Sequence, residues 1–185
     1  MPQQFSYNTL NTRLRDQQKR IEQLERYAAS NRFVTYTPTL TASVTNPNLD
    51  IYNPDTNPGG TGSATGKYVR HGNLVYAIGD LQFGAAATAG NGTYRISLPT
   101  TVVQIVSAGG PSPAETYTVL GHWRCTGFGL FDPNDIQAIG GTNYMTARYS
   151  NAYPVGADTA VTHNQPWGWA AGYRISFAVL YEAAV

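Results

Sequence analysis

YNTLNTRLRDQQKRIEQLERYA, residues 7–28, is the stretch around which the rest of the chain is organised. With Tyr7 at heptad position a, Leu10 falls at d, Leu14 at a and Gln17 at d. Ile21 follows at a, Leu24 at d and Ala28 at a, without a slip. Every other position is polar or charged except Tyr27. A helix lying on its own domain needs a broader apolar stripe, three to four residues per two turns. A narrow a/d seam suits a partner helix that supplies knobs and holes, and it predicts a coiled coil. Arg20 at g and Glu25 at the next e stand where an interchain ion pair forms in a parallel coil. The other reading is one amphipathic helix packed on the sheet that follows. The seam mixes Leu and Ile with a polar Gln17 at d, which departs from the Ile-at-a, Leu-at-d dimer pattern and points to a parallel homotrimer. So short a coil is marginal alone in water, so the domain behind it is expected to help it associate.

The organisation divides into a helical stalk, residues 1–32, and a β domain, residues 33–185. Asn31 is placed to cap the helix, and Phe33-Val-Thr-Tyr-Thr then switches abruptly to period-two character. Only 12% of residues are charged, and 13 tyrosines stand among abundant Gly, Thr, Asn and Pro, a balance that belongs to turn-rich β structure. The clearest hairpin is Lys67–His71 with Leu74–Ile78 around Gly72-Asn73, a two-residue turn signal. In its second strand Leu74, Tyr76 and Ile78 share one face, and Val75 and Ala77 the other. The last strand alternates most strongly, with Tyr173, Ile175, Phe177, Val179 and Tyr181 on one face. Residues 116–131 read as two strands bent around glycines, and Asp132-Pro-Asn-Asp135 as a turn. Long loops are expected over 46–66 and 150–166. Seven to nine short strands between Gly/Pro turns imply an antiparallel β-sandwich or jelly roll.

Composition excludes several classes of function. The net charge is +1, which gives no electrostatic case for nucleic acid or an anionic membrane. The stalk carries six basic and three acidic residues, the remainder six and eight, so the two parts are +3 and −2. The stalk's arginines surround a heptad seam and are read as solvated flanks. The lone Cys125 permits neither an intrachain disulfide nor a multi-cysteine metal site. MPQQFSYN lacks the basic and then apolar regions of a signal peptide, and no apolar run is long enough to cross a bilayer, so folding in a cytoplasm is expected. No catalytic motif emerges. His71, His122 and His163 fall in no ligand spacing, and His71 and His163 are expected to face solvent. Asn53-Pro-Asp55-Thr-Asn57 has the alternating oxygens of a calcium loop, but Pro58 stands where its glycine belongs and Ala64 where its terminal Glu belongs, so a surface turn is expected. No cofactor or metal is implied. Trp123 reads as core, whereas Trp167 and Trp169, two apart at a strand entrance, fit either core or a sugar-stacking platform.

Tyr36-Thr-Pro-Thr-Leu-Thr41, Val44–Leu49, Gly66–Val75 and Gly92–Pro99 together resemble small virion proteins of tailed bacteriophages. The likeness is to minor tail, fibre-like or decoration proteins from phages of high-GC Gram-positive hosts, and ten arginines against two lysines agree with a GC-rich genome. It covers about residues 33–100 and marks strands and turns, not an active site. The resemblance implies a trimeric β domain on a short helical stalk, displayed on the virion beside other structural proteins of tail or capsid. Three functions follow as expectations: a non-enzymatic structural role, a receptor module binding host cell-wall glycan through Trp167, Trp169 and the two long loops, and, least favoured, a glycan depolymerase.

Overall fold

A computed structural model describes residues 14–23, 25, 32–102, 117–127, 134–139, 142–151, 157–166 and 168–184. The chain forms two compact units, residues 1–33 and 34–185. In the first, a short helix runs over residues 14–23 and is again helical at residue 25; every described residue of it is exposed. The second is almost entirely strand and loop.

Ten strands are described: β1 (Val34–Tyr36), β2 (Leu40–Ala42), β3 (Ser63–His71), β4 (Leu74–Gln82), β5 (Tyr94–Ser97), β6 (Tyr117–Thr126), β7 (Asn134–Ile139), β8 (Tyr144–Asn151), β9 (Ala157–Ala160) and β10 (Arg174–Glu182). Every ladder between them is antiparallel, in the order β1-β3-β4-β10-β6-β7-β8-β5-β2, with β9 branching off β8. The two ends of that path, β1 and β2, are neighbours in sequence. Laid flat, nine strands would put these edges ~38 Å apart at the usual strand spacing. The four Cα steps from Tyr36 to Leu40 span at most ~14 Å. The sheet therefore curls until its edges approach, and the core lies inside the curl around Trp123, Tyr94, Phe83 and Met145.

The hairpin of β3 and β4 turns where the glycine signal placed it. His71 pairs with Leu74, and Gly72 takes φ 60°, the conformation that the first central residue of a type II′ turn requires. A second glycine pair shapes the middle of the sheet. Gly66 faces Gly79 across the hairpin; the Tyr36 ring covers the first and the Phe177 ring the second, each where a Cβ would sit. Two rings thus fill the space that two absent side chains leave.

The strand map departs from the sequence reading in four places. Residues 117–126 form one strand, not two: Gly121 lies so close to the Ala178 carbonyl that no Cβ fits, and β6 continues past it with a bulge between Val119 and Gly121. β7 begins at Asn134, inside the expected turn, because β6 offers ladder partners there: Asn134 pairs with Trp123 and Asp135 with His122. β9 lies inside the expected 150–166 loop; ADTA has no apolar alternation and is strand only by pairing with β8. β3 starts at Ser63, so the loop before it is shorter than expected.

Candidate functional site

The seam residues divide in two. Leu14 and Ile21 are 54% and 55% exposed, and Gln17, Arg20 and Glu25 are exposed as well. Tyr7, Leu10, Leu24 and Ala28 lie outside the described residues. Along this helix, then, the two apolar heptad positions that are described present their side chains outward.

The tryptophan platform needs correcting. Trp169 is 8% exposed and belongs to the core. It stacks on Phe83 with centroids 5.4 Å apart, tilts against Tyr94 at 5.6 Å and meets the edge of Tyr173 at 6.3 Å. Its Nε1–H donates to the Thr162 carbonyl at 2.9 Å. A ring this buried offers no face to a sugar. Trp167 lies outside the described residues. Trp123 is core as expected, with its Nε1–H donating to the Arg148 carbonyl at 2.6 Å.

The best-built polar site is one the sequence reading passed over. Asp50 is the one buried charged residue among those described, and it holds φ 58°, a left-handed conformation uncommon outside glycine. Its carboxylate accepts the Ala86 N–H at 3.0 Å and the Asn57 Nδ2–H at 2.9 Å, with the Thr61 N–H more distant at 3.5 Å. These donors, the Ala86 N–H foremost, hold its pKa below the usual carboxylate range. Its backbone carbonyl also accepts the Gly62 N–H at 2.9 Å. One residue thereby ties the loop 46–62 to the segment at 84–88. In the same loop the expected turn is present: Asn53 Oδ1 accepts the Asp55 and Thr56 N–H groups, and Asn53 bridges to Asn57. The Asn53 side chain thus caps a turn. A positive-φ aspartate cannot be recognised from a single sequence, though Asn48, Asp50 and Asn53 at close spacing are the kind of signal that could have raised it.

Beside this loop a cleft of about 770 Å³ opens against the 37–40 segment, with Pro38, Leu40, Asn53 and Thr56 in its walls and Tyr52, 59% exposed, at its margin. A second cleft of about 720 Å³ is lined by Thr35, Tyr36, Lys67, Asp80, Ser176 and the Gly66–Gly79 pair. Tyr36 carries a buried hydroxyl with no hydrogen-bond partner among the described residues, and burial, with Tyr181 adding to it, pushes its pKa up. The carboxylate near this cleft is committed to register. Ser176 Oγ donates to Asp80 Oδ2 at 2.8 Å, and Arg174, 3.8 Å from Asp80 Oδ1, also donates twice to Gln82 Oε1. His163 is not simply solvated: its Nδ1 accepts the Gly92 N–H at 3.1 Å. Among the described residues no three His, Cys, Asp or Glu cluster to hold a metal, and no helix is long and apolar enough to cross a membrane. No protein family, curated protein sequence or solved structure matches the chain.

Proposed function

We propose that this chain is a non-enzymatic structural protein of a tailed-phage particle, assembling as a parallel homotrimer through its N-terminal helix and presenting the β unit on the tail or capsid surface. The observation that carries the reading is the outward placement of Leu14 and Ile21 on a helix otherwise polar over its described length. Two leucine-class side chains left in water forgo about 1.5–3 kcal/mol each relative to full burial. A coiled coil with other copies recovers that. The resemblance of residues 33–100 to virion proteins supplies the setting. We read the β unit as a sandwich with jelly-roll-like closure, a view supported by the approach of β1 and β2. The side chains of Asp50, Asn53 and Asn57 are bonded to the loop itself and to the segment beside it, which suits a rigid display surface.

Sedimentation equilibrium of the full chain tests the assembly. A trimer at micromolar concentration is expected, and Leu14→Asp with Ile21→Asp should yield monomers, because each places a desolvated, repelling charge on the seam. A wild-type monomer throughout that range would sink the reading. Electron microscopy of the intact particle would then assign head or tail.

Host-wall glycan binding survives as a second reading on one observation: Tyr52 exposes its ring beside the 770 Å³ cleft on a loop fixed by Asp50. Tyr52→Ala should abolish sedimentation of the protein with host cell walls while leaving its oligomer mass unchanged. Wall binding that persists in the variant removes this reading.

A further inference from the structure

The first half of β4 is folded with its bulkier residues outward. Val75 and Ala77 of β4 are fully buried, whereas Leu74 is 52% and Tyr76 39% exposed. Antiparallel sheets with one wet face ordinarily turn their large apolar residues to the core and their polar ones to water. Register extends the anomaly across three strands. Tyr76 pairs with Val69 on one side and with Leu180, 55% exposed, on the other; Ile78 pairs with Ala178 in the next row. Val69, Leu74, Tyr76, Ile78, Ala178 and Leu180 thus form one apolar field on the outer face. The row beyond Ile78 is polar, with Thr65, Asp80 and Ser176 side by side, so the field has a defined border.

Resting on the helix-mediated assembly proposed above, we infer that this outer face of β3, β4 and β10 is a second interface between copies of the same chain. Two features select a copy of this chain as the occupant. First, the field is flanked by opposite charges: Lys67 on β3 pairs with Ile78, and Glu182 on β10 pairs with Leu74. Lys67 and Glu182 stand at diagonal corners of the field, so a copy turned against it can set each charge near its opposite, and the face can match itself in charge as well as in apolar character. Second, the first unit, residues 1–33, is followed directly in sequence by β1, which is paired with β3. Chains clasped at their helices therefore hold these faces at an effective concentration on the order of millimolar, the regime in which a modest apolar contact suffices. A three-heptad coil that is marginal alone gains the support it needs from such a contact.

The test uses the full chain. Leu180→Glu puts a carboxylate in the middle of the field, at a position exposed within each chain, so far-UV circular dichroism should keep its β signature. Its self-dissociation constant, from sedimentation, should rise about tenfold or more. Lys67→Glu and Glu182→Lys should each weaken assembly, and the double swap should recover it to within about threefold of wild type, a rescue that general damage does not produce. Wild-type association and melting in Leu180→Glu would leave the face to solvent or to a different protein and overturn the inference while the helix reading stands. Wild-type association with depressed melting would assign the face to the chain's own N-terminal segment and overturn it equally. Swaps that fail to rescue each other overturn it too. A wild-type chain that never associates fails the helix reading and this inference together.

Discussion

Replacing Trp169 with alanine separates the two roles that an indole beside a long loop can play. In the structure the ring is 8% exposed and packed between Phe83, Tyr94 and Tyr173, and its N–H is bonded to the Thr162 carbonyl. Trp169→Ala removes that whole side chain from a close-packed interior. Such truncations cost about 3–5 kcal/mol, the transfer term plus the cavity left behind. For a chain of this size each 1 kcal/mol moves the melting midpoint by roughly 2–4 °C, so a fall of about 6–20 °C is expected. Trp169→Phe keeps most of the stacking area but strands the Thr162 carbonyl, and should cost about 1–3 kcal/mol. Both are measured by thermal and urea unfolding of the full chain at one fixed protein concentration, since association raises apparent stability. An alanine variant that melts within about 2 °C of wild type, and loses only ligand binding, would refute the core assignment. The graded order, Ala well below Phe and Phe below wild type, is the signature of packing.

Asp50→Asn keeps a side chain that tolerates positive φ but exchanges an acceptor-only carboxylate for an amide. A carboxylate whose folded pKa is depressed contributes stability above its unfolded value, near about 3.9, and loses that contribution as pH falls toward the folded value. Wild type should therefore become more sensitive to urea between neutral and acidic pH, by a margin that shrinks in Asp50→Asn; parallel pH profiles for the two would show that the carboxylate does not hold the loop. Gly79→Ala drives a methyl group into the Phe177 ring and should destabilise by about 1–3 kcal/mol in urea unfolding. A neutral Gly79→Ala would mean that Phe177 can move aside.

The sequence carried the mostly-β class of the fold because its strand and turn signals are local. Alternation in β10 and the Gly72-Asn73 turn are local properties, and they survive into the structure with Ile175, Phe177, Val179 and Tyr181 buried. β9 and the start of β7 were illegible for the opposite reason. Ala157–Ala160 and Asn134-Asp135 have no pattern of their own; β8 recruits the first and β6 the second. The polar centre at Asp50 escaped because its donors, Asn57, Thr61 and Ala86, come from segments that only the fold brings together.

Alternation has a further limit, and the β3–β4 hairpin meets it. A period of two says which residues share a face; it does not say which face looks inward. Size would assign Leu74, Tyr76 and Ile78 to the core and Val75 and Ala77 to the outside. The sheet does the reverse, because it must also seat the rings of Tyr36 and Phe177 over Gly66 and Gly79 on the inner side. Smaller neighbours in β4 leave room for those rings. Packing within one chain thus decides the orientation and leaves the larger side chains facing out. A sequence under selection only to fold alone would be expected to carry polar residues there. That this one carries Leu74, Tyr76 and Leu180 is the reason for treating the outer face as a surface that another copy covers, and for placing the decisive substitution at Leu180.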